Sequence, residues 1–318
     1  MRVLLASAEG EAYFDLLDGL TDLDLEIDRA STPAEALQRA AAVEAYYGLP
    51  SAEIVAAAPK LRWIQSSSAG VEYIANIPAL VESDIVVTNT RGAHASAIGE
   101  HVFGLLLAFT RELPTCLDQQ RRRVWDRAPI YRTAREVGGM TMGIVGFGAV
   151  GRGIAKRALG FDMTVLAVDA QAVDGAPLVE DVWPSSRLPE LLRRSDVVVI
   201  AAPYTAETHH LIDAAALATM RRDAYLIAIS RGGIIDEDAL ATAMRAGHLA
   251  GAALDVAEVE PLPAESPLWA VPNLLLTPHM AGASGPKERR CVEILRDNLV
   301  RFAKGEPLLN VVDKRLGY

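Results

Sequence analysis

This sequence predicts an α/β protein made of two doubly wound domains, and three observations predict it. Short apolar runs of strand length alternate with helical stretches along most of the chain, the rhythm of parallel sheets covered on both faces. A second and more regular strand–helix series begins near residue 141 and supplies six strands. At the first strand-to-helix junction of that series lies a glycine-rich turn, Gly146-Phe147-Gly148-Ala149-Val150-Gly151.

Size and composition agree. A chain of 318 residues favours two domains over one. Hydrophobic types make up 51% and charged types 23%, too apolar a mix for disorder. The net charge of −10 opposes nucleic acid or an anionic membrane as a partner. The one basic run, Arg121-Arg122-Arg123, reads as a solvated helix face. Two cysteines, Cys116 and Cys291, are too few for a disulfide framework or a cysteine-based zinc site, so no metal is expected and a reducing cytoplasm is. The apolar start of the chain is ended by Glu9, short of a signal-peptide core. The longest strongly apolar run, Val102 to Phe109, falls well short of the ~20 residues that span a bilayer.

Taken in order, strands are expected at Arg2–Ala6, Leu25–Asp28, Val43–Tyr47, Leu61–Gln65 and Ile85–Thr88. Helices are expected between them at Ala12–Leu20, Pro33–Ala42, Ala52–Ala58 and Val71–Leu80. His94 to Leu113 reads as one long helix, because Ile98, Val102, Leu105, Leu106 and Phe109 recur at helical spacing. A polar, Arg-rich loop follows. The second series has strands at Thr141–Val145, Thr164–Val168, Val197–Ala201, Ala224–Ile229, Ala252–Val256 and Asn273–Leu276. Its helices are expected at Gly151–Leu159, Leu188–Arg194, Asp213–Met220 and Glu237–Ala246. A closing helix, Lys287 to Lys304, is expected to return to the first domain.

The glycine turn matches G-x-G-x-x-G in the context that gives the pattern meaning, strand before and helix after. Gly146 permits the tight turn, Gly148 lets a pyrophosphate approach the backbone, and Gly151 lets helix and strand pack closely. The amides of Ala149 and Val150 at the helix start would face the phosphates, aided by the helix dipole. Asp169 ends the next strand, eighteen residues past Gly151, where a carboxylate accepts hydrogen bonds from the adenosine ribose. It would repel a 2′-phosphate, and neither Ala170 nor Gln171 offers a cation, so NAD is favoured and NADP disfavoured. A plain strand–turn–helix with a solvated Asp is the competing reading.

Three polar segments follow consecutive strands of this series: Ser230-Arg231-Gly232-Gly233, Asp255 through Pro263, and Thr277-Pro278-His279. The carboxyl ends of parallel strands border one crevice, so Arg231, His279 and a glutamate, Glu258 or Glu260, can converge there. Taken singly, each has an ordinary alternative: a surface salt bridge, a solvated loop charge, a structural histidine.

These motifs, with Ser67-Ser68-Ala69-Gly70-Val71-Glu72, Val87-Thr88-Asn89-Thr90, Gly99-Glu100-His101, Ala202 through Thr208 and Asp236-Glu237, run over nearly the whole chain. In that order and spacing they resemble the D-isomer-specific 2-hydroxyacid dehydrogenases, of the glyoxylate/hydroxypyruvate reductase kind. The resemblance implies a Rossmann NAD-binding domain, residues 95–284, inserted in a flavodoxin-like substrate domain formed by 1–94 and 285–318. It implies that Arg231 grips the substrate carboxylate and polarises the 2-oxo oxygen, that His279 is the acid/base, and that Glu260 pairs with it. Asp255 would lie near the nicotinamide carboxamide, and Ala202, Pro203, Thr208 and Ile229 would line the cofactor. Backbone amides around Ala69, Gly70 and Val71 would hold the substrate carboxylate from the other domain, with closure of the cleft over NADH excluding water.

The implied chemistry is physically coherent. Hydride arriving at C2 of a 2-oxo acid puts negative charge on the carbonyl oxygen, so the site must supply a fixed cation and a proton. Arginine offers a permanent charge on a planar fork. A histidine beside a carboxylate is expected to have a raised pKa, which favours the acid form that reduction needs. The chain departs from the family pattern at Ala228, where asparagine is frequent, and at Gly99, where alanine is common. Glu260 itself points away from formate oxidation, since the formate-oxidising relatives carry an amide there. No cationic cluster near Ser66–Val71 suggests a phosphorylated substrate, so a small 2-oxo acid is expected. Trp63, Tyr73, Tyr131 and Trp269 are either pocket walls or core packing. A homodimer is expected. The alternatives are an NADH-sensing scaffold of corepressor type and a same-fold enzyme acting on another donor such as phosphite.

Overall fold

The structure is a computed structural model and describes residues 1–20 and 22–315; positions 316–318 of the expected C-terminal return lie outside the described residues. Two compact units form, one from Met1–His94 with Ser284–Tyr318 and the other from Ala95–Ala283.

In the first unit the strands are β1 (Arg2–Leu5), β2 (Glu26–Arg29), β3 (Ala45–Tyr47), β4 (Trp63–Gln65) and β5 (Val86–Thr88), all parallel, in the order β2-β1-β3-β4-β5. That is the flavodoxin-like order. The strand period of two splits the core between the faces. Leu4, Tyr46, Ile64 and Val87 pack on one side with Ile54, Ile74 and Leu80. Val3, Leu5, Tyr47 and Trp63 pack on the other with Val292, Leu295 and Leu299. Those last three belong to the helix Gly285–Lys304, which starts at a Ser284 cap and stops at Gly305, where φ is 68°. Burying each of them contributes roughly 1.5–3 kcal/mol. The chain then reaches the outer edge of β5, where Val311 bridges Thr88 antiparallel.

In the second unit the strands are β6 (Thr141–Val145), β7 (Thr164–Asp169), β8 (Val182–Pro184), β9 (Val197–Ile200), β10 (Tyr225–Ala228), β11 (Gly251–Leu254) and β12 (Leu274–Leu276). They are parallel throughout, in the order β12-β11-β10-β9-β6-β7-β8. This is the Rossmann order extended by one strand, and chain direction across the sheet reverses between β6 and β9. The near-continuous Val197–Ile200 run is wholly buried because helices cover both faces of the sheet.

The structure corrects several local expectations. Val71–Leu80 is not one helix; a 3-10 turn, Glu72–Asn76, precedes a short helix, Pro78–Val81, since Pro78 has no N–H with which to continue. Ala12–Leu20 is a 3-10 helix, Glu11–Leu17. The long helix runs Ala95–Thr110, and the Arg-rich segment after it is helical rather than a loop, Leu113–Arg122 followed by Ala128–Thr133. Pro114 and Pro129 sit in the first turns of those two helices, where the lost N–H would be unpaired anyway. Strand β8 had no counterpart in the sequence reading. Among the described residues, no helix is long and apolar enough to cross a membrane.

Candidate active site

The strand ends of the second unit carry the residues of interest. After β6, Gly146 turns with φ 94°, and a Cβ there would lie 2.5 Å from the Ala202 nitrogen, so the glycine turn and the segment after β9 touch at the switch point. A Cβ on Gly151 would lie 2.2 Å from the Gly146 carbonyl oxygen, which explains the third glycine. Gly148 is different: a Cβ there meets nothing within 4 Å. It caps the helix Ala149–Gly160 without a side-chain hydrogen bond to the first turn. Open space beside an uncapped helix start is the geometry that takes a diphosphate, so the residues present fit a dinucleotide. At the end of β7 the Asp169 carboxylate accepts from the Phe147 amide at 2.7 Å and the Gln171 amide at 2.9 Å, which fixes it beside the glycine turn. Thr208 closes its own loop, donating to the Pro203 carbonyl at 2.8 Å and accepting from the Thr205 amide at 2.7 Å. Ala202 and Ile229 are buried at the ends of β9 and β10.

Beyond β10, Arg231 is anchored by Nη1 donating to the Ser230 carbonyl at 2.7 Å. Gly232 lets this turn press on the segment after β11, because a Cβ there would lie 1.9 Å from the Ala257 oxygen. That segment presents Glu260, whose Oε1 accepts from the Ala257 amide at 3.0 Å and whose Oε2 lies 2.7 Å from His279 Nδ1. Burial alone would raise the Glu260 pKa. The hydrogen bonds from His279 and Ala257 and the charges of His279 and Arg231 outweigh it and hold the carboxyl below its usual range. Of the two glutamates the sequence offered, Glu260 is the one on His279. Glu258 instead lies 3.6 Å from His210 Nε2.

His279 has a left-handed backbone, φ 50°, unusual for a residue with a Cβ. Its conformation is held by its own amide donating to the Asp255 carbonyl at 2.8 Å and by the neighbours that the Asp255 carboxylate grips. That carboxylate, 1% exposed, accepts from Thr277 Oγ1 at 2.5 Å, the Met280 amide at 2.9 Å and the Ala281 amide at 2.8 Å. Sequence reasoning gave no role to Thr277 or to Glu237. The latter accepts from the Glu258 amide at 2.6 Å, and burial with the nearby Glu258, Asp238 and Glu260 raises its pKa.

In the first unit, the turn after β4 is tied down on its own. Asn89 Nδ2 donates to the Ala69 carbonyl at 2.8 Å, and the Gly70 amide donates to Ser68 Oγ at 3.2 Å. Val71 is buried. Trp63 is a core residue, 1% exposed, with its ring N–H on Thr88 Oγ1 at 2.8 Å, whereas Tyr131 and Trp269 are exposed.

A parallel sheet with a glycine turn at its switch point and a histidine–carboxylate pair at neighbouring strand ends defines a dinucleotide-dependent oxidoreductase. Comparison with known proteins agrees. The family model for the NAD binding domain of D-isomer specific 2-hydroxyacid dehydrogenases matches residues 103–281. A glyoxylate reductase from Thermofilum pendens is 39% identical over 270 residues, 83% of this chain and 78% of that protein. A solved D-isomer specific 2-hydroxyacid dehydrogenase family protein from Aeromonas salmonicida superposes with a TM-score of 0.84 at 34% identity, covering 98% of this chain and 99% of the other. Another, from Xanthobacter autotrophicus in complex with NADPH and MES, gives 0.80 at 31% identity over 100% and 99% of the two chains. The chain belongs to the D-isomer specific 2-hydroxyacid dehydrogenase family and is an oxidoreductase.

Proposed function

We propose that the chain reduces a small, unphosphorylated 2-oxo acid to its D-2-hydroxy acid with NADH, and catalyses the reverse oxidation. The observation that carries this reading is the 2.7 Å pairing of His279 Nδ1 with Glu260 in an NAD-binding unit. With Nδ1 held by the carboxylate, Nε2 is the ring position that exchanges a proton with substrate, and Glu260 steadies the charged ring. Arg231 binds the carboxylate and draws charge from the 2-oxo oxygen. Bound nicotinamide supplies or accepts the hydride. Gly146, Gly148 and Gly151, with the amides of Ala149 and Val150, hold the diphosphate. Ala202, Pro203, Thr208, Ile229 and Asp255 complete the cofactor side, and the Ala69–Gly70–Val71 turn contacts the substrate carboxylate, as the family resemblance implies.

Glyoxylate, hydroxypyruvate and pyruvate are the substrates this reading favours, supported by the similarity to a glyoxylate reductase. NAD is favoured over NADP by Asp169, whose carboxylate, held by the Phe147 and Gln171 amides at the end of β7, would repel a 2′-phosphate on a cofactor bound as the glycine fingerprint implies. The test is loss of NADH absorbance with a panel of 2-oxo acids, repeated with NADPH and with Asp169→Asn. Turnover of at least one acid, faster with NADH and with the gap narrowed in D169N, is expected. Inertness towards every acid would overturn the reading of function, and equal use of both cofactors would overturn the role of Asp169.

A homodimer working in the cytoplasm is also proposed. Leu113, Leu117, Val124, Trp125 and Tyr131 are exposed on and between the helices Leu113–Arg122 and Ala128–Thr133, Trp125 fully. A second copy presenting the same face across a two-fold axis supplies their apolar cover. Light scattering should give twice the chain mass, and the mass of one chain would refute this.

A further inference from the structure

The Gly99-Glu100-His101 stretch has no part in the chemistry above, yet the helix Ala95–Thr110 brings His101 to the anchor of the His279 segment. His101 Nε2 lies 3.1 Å from Thr277 Oγ1 and 3.5 Å from Asp255 Oδ1. Counting protons fixes the direction of this chain. The Asp255 carboxylate already accepts the Met280 and Ala281 amides, so it also accepts the Thr277 hydroxyl proton at 2.5 Å. The Thr277 oxygen then has only lone pairs to offer, and the donor is His101 Nε2–H. Beyond Asp255, the same residue's carbonyl holds the His279 amide at 2.8 Å. A relay runs from His101 through Thr277 and Asp255 to both sides of a histidine whose left-handed backbone needs holding.

We propose that His101 is a positioning residue for His279, acting through Thr277 and Asp255 and touching neither substrate nor cofactor. The idea deepens the functional reading above and rests on His279 being the acid/base. Supporting groups of this kind hold a reacting side chain to within a fraction of an ångström, and their loss slows turnover without abolishing binding.

His101→Leu and Thr277→Val remove the donor and the relay. His101→Gln can place its amide N–H near the position of Nε2, and Thr277→Ser keeps the hydroxyl. Expected are a kcat reduced about tenfold in H101L and T277V, with KM for NADH and for the acid changed much less. H101Q and T277S should recover most of the rate, and the H101L/T277V double variant should be no slower than either single variant. Wild-type kcat in H101L, equal slowing in H101L and H101Q, or multiplied losses in the double variant would each overturn the proposal. A second readout does not need turnover: the His279 ring resonances, assigned with His279→Ala, should shift in H101L and T277V and return in H101Q. Unmoved resonances would overturn the relay even in an enzyme inert towards the acid panel, whereas moved resonances in an inert enzyme would fail only the functional reading.

Discussion

Glu260 and His279 lie 2.7 Å apart, and the Ala257 amide holds the other Glu260 oxygen so that the carboxylate meets the ring with a fixed edge. The pair joins the loop after β11 to the loop after β12, so its geometry depends on both strands rather than on the side chains alone.

The depressed Glu260 pKa sets a pH window. A carboxyl whose folded pKa lies below its unfolded value contributes stability above the unfolded value and loses it as pH falls through the folded one. The pair should therefore persist from neutral pH down through the usual glutamate range, about 4.3. Reduction rates in wild type should not fall through loss of Glu260 until pH drops below that range. Glu260→Gln, which keeps the shape without the charge, should lower kcat by about 10- to 100-fold, as steady-state kinetics across pH will show.

Glu237 behaves in the opposite sense. Its raised pKa means that folding disfavours the charged form, a cost absent below the unfolded pKa and complete above the folded one. Glu237→Gln keeps an acceptor for the Glu258 amide and removes the charge. Its melting temperature relative to wild type should rise as pH goes from about 4 to 7, and a constant difference across that range would contradict the assignment.

Gly232→Ala should damage the site more than the fold. The added Cβ would lie 1.9 Å from the Ala257 oxygen, so the Arg231 turn and the Glu260 segment must separate. A loss of about 100-fold or more in kcat/KM for the acid is expected, while NADH binding measured by fluorescence changes little.

Asn298 tests the first unit. Fully buried, it donates to Gln65 Oε1 at 2.9 Å and the Leu309 carbonyl at 3.1 Å, and accepts from the Leu309 amide at 2.7 Å. Asn298→Leu takes away the partner of the Leu309 amide and carbonyl and one of the two donors to Gln65 Oε1, on which the Thr88 hydroxyl remains at 2.8 Å, and should cost about 1–3 kcal/mol in urea unfolding.

Much of this was legible in the sequence. Both sheets could be read from strand-length apolar runs, because strands buried on two faces carry unbroken Val, Ile and Leu, as at Val197–Ile200. The places of Arg231, Glu260 and His279 were legible because each follows a strand whose end is fixed by the sheet, and so was the meeting of the last two. Strand β8 was not, since three residues ending in Pro184 leave no period to read. The helices Leu113–Arg122 and Ala128–Thr133 were missed because their apolar residues face outward among arginines instead of marking a buried stripe. Pro114 and Pro129 were the available signal. His101 and Thr277 were visible as letters in motifs, but a relay of hydrogen bonds between a helix and two strand ends has no sequence period. The hydrogen bonds by which the Thr208 hydroxyl closes its own loop, to the Pro203 carbonyl and from the Thr205 amide, have no sequence period either.

The most direct test of the central claim compares wild type with His279→Gln, measuring glyoxylate and hydroxypyruvate reduction and NADH affinity on the same samples. Turnover in wild type that falls by about 1,000-fold or more in H279Q, with NADH affinity preserved, is the predicted result. An H279Q enzyme that reduces the acid at the wild-type rate would contradict it.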